Sequence, residues 1–98
     1  MELYAIVHSL TKEIFVGKDG DVIHSEFKHL RSLKSKDLKL LSINEGRAKS
    51  KLAQLTHTCE FYLNINIPEE TKAKIRRLYE QIDSLEVKKI NIELSIED

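Results

Sequence analysis

The chain is short of the residues that small proteins use to fasten themselves or to do chemistry. Its 98 residues include one cysteine (Cys59), one proline (Pro68), three glycines, no tryptophan and only 6% aromatic side chains. One thiol excludes an internal disulfide framework and any zinc site built on several cysteines. Gly17, Gly20 and Gly46 are too dispersed for a phosphate-cradling loop. No apolar run approaches the roughly 18–20 residues of a membrane span, and Met1-Glu2-Leu3-Tyr4 lacks the basic start of a signal peptide. The reading is an intracellular, cytoplasmic protein with a single domain over residues 1–98, at roughly 100–200 residues per domain. A chain this size hides only about two-thirds of its unfolded surface, so partners have room to contribute.

Net charge is also missing: 16 Lys and Arg balance 16 Asp and Glu. The balance is a cancellation of blocks. Residues 1–27 carry two bases and five acids, residues 28–51 eight bases and two acids, and residues 52–98 six bases and nine acids. The middle block, at net plus six, contains Lys34, Lys36, Arg47, Lys49 and Lys51.

Hydrophobic period gives the elements. Leu3 to His8 is apolar on both parities, as in a central strand covered on two faces. Polar residues 9–13 turn the chain into a second strand, Glu13 to Gly17. Asp19-Gly20 then suits a tight hairpin turn, with Val22-Ile23 returning. Phe27, Leu30 and Leu33 recur at threes, which suggests a turn or two of helix capped by Ser25. Ser42 with Glu45 forms a capping-box pattern, and Ala48, Leu52 and Leu55 make the stripe of the helix that follows. Cys59, Phe61, Leu63, Ile65 and Ile67 alternate with polar residues, predicting a strand over 58–67. Pro68 with Glu69 and Glu70 opens a helix to about Ser84, buried along Thr71, Ile75, Leu78, Tyr79 and Ile82. A last alternation, 89–96, predicts a strand with a bulge or true start near Lys88.

The sum is an α+β fold: an N-terminal hairpin or meander and a mixed sheet of about five strands, packed by two main helices on one face. The strands at 58–67 and 89–96, joined through a helix, would be parallel if they share the sheet. A strand with a polar second face near a chain end is also a pairing edge, so a homodimer joined strand to strand is expected.

No residue set announces catalysis, a metal site or a cofactor. His57 and Cys59 would share one side of a strand, but Cys59 reads more simply as a core residue. His8, His24, His29 and His57 have no ligand spacing. Interaction surfaces are the better candidates. Tyr62, Arg76, Arg77 and Tyr79 are of the types that dominate protein interfaces. Lys34, Lys36, Arg47, Lys49 and Lys51 are the candidate phosphate contacts for a nucleic-acid-binding or RNA-processing domain, an alternative opposed by the near-neutral pI of 6.9.

The run Leu3-Tyr4-Ala5-Ile6-Val7-His8, Thr11-Lys12, Ile14 to Gly20, then Leu40-Leu41-Ser42 into Glu45, Ala48-Lys49 and Leu52 resembles small bacteriophage-encoded accessory proteins. Those open with a hairpin followed by a strand and helix unit, and the likeness covers about the first 55 residues. The resemblance implies a non-enzymatic inhibitor or modulator of a host protein, including host defence systems; it carries no site residue with it.

Overall fold

A computed structural model describes residues 2–17 and 22–91 of the chain. Four strands and three helices follow in order: β1 (Glu2–His8), β2 (Ile14–Val16), β3 (Glu26–Lys28), α1 (Ser35–Leu38), α2 (Glu45–Leu63), α3 (Glu69–Gln81) and β4 (Leu85–Asn91). Short 3₁₀ turns at Leu30–Ser32 and Ile82–Ser84 precede α1 and β4.

The sheet runs β3-β2-β1-β4 and every pairing is antiparallel. β1 is central and apolar on both parities because both its faces are covered. Leu3, Ala5 and Val7 pack with Ile14, Val16, Leu41 and Ile90 under Leu33, Leu38 and Leu40 of the 33–41 segment. Ile6 faces the other way and packs with Phe15, Leu55, Cys59, Ile75, Leu78 and Leu85 beneath α2 and α3. The result is three layers, with a thin irregular segment on one side of the sheet and two long helices on the other.

The turn after β1 is held by the His8 side chain. Buried His8 accepts the Leu10 and Thr11 N–H groups at Nδ1, both at 3.2 Å, while Lys12 closes the turn at a positive φ of 65°. The ring nitrogen supplies two loop amides with an acceptor that the ladder cannot give them.

Several expectations are corrected. Residues 58–63 are the end of α2, so the sheet of the described residues has four strands, near the expected five, and is antiparallel rather than mixed, without the parallel crossover. The physical reason is that Cys59 and Tyr62 continue the stripe of Ala48, Leu52 and Leu55 at spacings of three and four. Asn44, not Ser42, caps the helix, its Oδ1 accepting the Arg47 N–H at 2.8 Å. Phe27 belongs to β3 and packs edge-on against Phe15 of β2, so no helix runs from Ser25. β4 begins at Leu85 and pairs with β1 without a bulge from Leu85↔His8 to Asn91↔Glu2. The Asp19-Gly20 turn and residues 92–96 of the last alternation lie outside the described residues.

Candidate functional site

The cysteine and histidine considered for catalysis do not meet. On a helix, residues two apart point in divergent directions, and Cys59 is fully buried while the His57 side chain is 83% exposed. Burial, helped by the Glu60 charge, pushes the Cys59 thiol up to about 11, which makes it a poor nucleophile at neutral pH. No group of three or more His, Cys, Asp or Glu side chains among the described residues is placed to hold a metal ion. No helix among them is long and apolar enough to cross a membrane.

The basic block is divided by the fold. Lys34 opens α1, where its N–H is bound by the Asp37 carboxylate at 3.0 Å. Lys36 lines a depression with Glu26, Asp37 and His24. Lys49 is tied to Glu45 one turn earlier on α2 at 2.8 Å, which draws the Glu45 carboxyl down and the Lys49 ammonium up. Lys51 is only 9% exposed and donates to the Leu40 carbonyl at 2.7 Å, so it fastens α2 to the preceding segment rather than projecting to a ligand. Arg47 remains at the surface, on the rim of a groove of about 1050 Å³ formed where the Lys39–Asn44 segment meets α2. Lys39, Ser42, Asn44, Ser50 and Gln54 also line it, with no carboxylate among the lining residues. Ile43 is 72% exposed there.

The block also supplies its own counter-charge. Lys28 lies 3.1 Å from buried Asp37 and 3.2 Å from Glu26. Burial would raise the Asp37 carboxyl, but the Lys34 N–H and the Lys28 ammonium outweigh it and hold it below the ordinary carboxylate range. The Asp37 bond in turn raises Lys28.

The four interface candidates are likewise split. Tyr62 is half-buried against the core beneath α2. Its ring contacts that of Phe61 edge-on, centroids 5.5 Å apart at 81°, and Phe61 itself is 56% exposed. Tyr79 is on the outer side of α3, and its hydroxyl donates to the Glu60 carboxylate at 3.2 Å, which raises the phenol. Arg76, one turn before Tyr79, is exposed beside it. Arg77 belongs to the other flank, lining a cavity of about 160 Å³ with Val22, Ser25, Phe27 and Lys74. Phe61 was not among the candidates because the strand reading placed it in the core. No family model matches the chain, and no curated protein or solved structure matches it.

Proposed function

We propose that the chain is a non-enzymatic cytoplasmic binding protein that engages a protein partner through the outer side of the α2 and α3 pair, with Phe61 as the anchor. The observation that carries the reading is the 56% exposure of the Phe61 ring while Tyr62 and the Glu60–Tyr79 bond brace its surroundings. Burying the exposed part of such a ring favours association by about 0.8–1.7 kcal/mol, and a braced ring loses little freedom when it docks. Arg76 and Tyr79 supply the polar rim typical of such anchors. The resemblance of the first 55 residues to phage accessory proteins makes the partner a host protein and the effect inhibition or modulation; that part rests on the resemblance alone.

The test is capture from bacterial host lysate by the wild type, Phe61→Ser and Tyr79→Ala, each checked for an unchanged melt. A species held by the wild type and lost by Phe61→Ser supports the reading. Capture indifferent to Phe61→Ser refutes it. A second reading, binding of a phosphate-bearing nucleic acid in the groove, is favoured by Lys39 and Arg47 on a lining without carboxylates. Retention on mixed RNA at low salt that falls with Arg47→Glu would support it; no retention would end it.

A further inference from the structure

Among the described residues β4 is an edge strand of the sheet, and the bonds of β1 fix which way its backbone groups point. On β1, the Tyr4 N–H donates to the Ser42 carbonyl at 2.8 Å and the Ser42 N–H returns to Tyr4 at 3.0 Å. At the other end, the His8 N–H donates to Glu13 and the His8 carbonyl accepts from Lys12. The even-numbered residues of β1 thus turn their backbone groups away from β4. By alternation Leu3, Ala5 and Val7 face β4, and their partners Ile90, Lys88 and Glu86 face back. Val87, Lys89 and Asn91 therefore direct N–H and C=O outward from the sheet. Leu85 directs its carbonyl outward too, while its N–H is taken by the Ile82 carbonyl.

That outward row is self-complementary. Side chains at opposed positions of antiparallel strands share a face, so a two-fold axis perpendicular to the sheet must pair residues of the same parity. Centring the axis at Val87 sets Val87 against its own mate, each bonding the other through N–H and C=O. Each Lys89 N–H then reaches the Leu85 carbonyl of the second copy. The same register places Glu86 opposite Lys88 of the second copy, twice, at the positions where cross-strand side chains approach most closely. Within one chain Glu86 and Lys88 already share a face, 3.4 Å apart, so both charges stand ready there. Centring at Lys89 would oppose lysine to lysine, and centring at Leu85 would run the mate past the Ile82–Ser84 turn. Edge lysines usually discourage strand pairing; here the register about Val87 answers the Lys88 charge, while Lys89 keeps Glu2 of its own chain at 3.2 Å.

We infer that the occupant of the β4 edge is a second copy of this chain, paired antiparallel about Val87 so that two four-stranded sheets join into one. Sedimentation velocity over a series reaching about 1 mM, a regime that detects weak association, tests it with the full chain. The wild type is expected to shift from monomer toward dimer. Glu86→Lys and Lys88→Glu, each opposing like charges, should each weaken dimerisation about tenfold or more. Mixing the two single variants should restore the dimer as a heterodimer, because both cross-strand contacts then oppose one positive charge to one negative. The double exchange in one chain should restore it as a homodimer for the same reason. A wild type monomeric at about 1 mM, single variants that still dimerise like the wild type, or a mixture that stays monomeric would overturn the inference.

Discussion

Removing the ammonium of Lys51 should destabilise the protein far more than removing any other charge on α2. Lys51 lies on the same helical stripe as Ala48 and Leu55, is 9% exposed, and donates to the Leu40 carbonyl at 2.7 Å. Lys51→Met keeps the aliphatic stem in its packing place and deletes only the donor. A hydrogen bond from a charged group contributes about 1.5–3 kcal/mol, and the Leu40 carbonyl loses this donor. For a chain of 98 residues, roughly 4–8 °C per kcal/mol turns that into a fall in midpoint of roughly 6–24 °C. Thermal unfolding followed by circular dichroism measures it, with Lys49→Met as comparison. Lys49 is exposed and paired only across one helical turn, so its loss should be scarcely visible. Equal midpoints for Lys51→Met and wild type would refute the reasoning and return Lys51 to the residues available for a ligand.

Three other outcomes follow from the packing. An added Cβ at Gly17 would come within 2.9 Å of the Ser25 Cβ and 3.3 Å of the Phe15 ring, so Gly17→Ala should cost about 1–3 kcal/mol; an unchanged urea midpoint would contradict this. Cys59 should resist alkylation near pH 7.5 in the folded protein and react quickly in urea; equal rates would show that the thiol is not shielded. The Asp37 carboxyl is lowered by folding, so its stabilising contribution is complete above the ordinary carboxylate pKa of about 4 and is lost as pH falls through the lower folded value. Asp37→Asn should therefore lower the urea midpoint at pH 7 and flatten its decline between about pH 5 and pH 2; a parallel decline would assign acid sensitivity to other groups.

How much of this was legible depends on whether local period and tertiary contact agreed. β1 was legible because apolar residues on both parities leave few alternatives to a strand covered on both faces, and the packing on both its faces answers to that pattern. α3 was legible because Pro68, two acids and the stripe through Ile75 and Leu78 all mark the same helix. The 58–63 stretch obeyed two periods at once. Its alternation was real, but a helix already capped at Asn44 extends at little cost, and Cys59 and Tyr62 prolonged its buried stripe. The exposure of Phe61 is the residue of that conflict, since it fits the alternation and misses the stripe. Lys51 was misread for a related reason: counted as a charge, it belonged to the basic block, but three residues from Ala48 and four from Leu55 it belonged to the core side of the helix. The groove on which Arg47 opens could not be read at all, because the aperiodic 39–44 segment that forms it is placed by the Tyr4–Ser42 bridge.

The pairing of β1 with β4 joins the first described element to the last, from Glu2↔Asn91 to His8↔Leu85. During synthesis β1 therefore emerges with both apolar faces and one whole edge unsatisfied, and its long partner strand is made only after all three helices. At about 5–20 residues per second the strand waits roughly 4–15 s before β4 is made. Closing so distant a contact is also slow once the chain is released. The nascent chain thus carries a sticky, unpaired strand throughout the synthesis of α1, α2 and α3, and any stop before Leu85 leaves that strand open on one side.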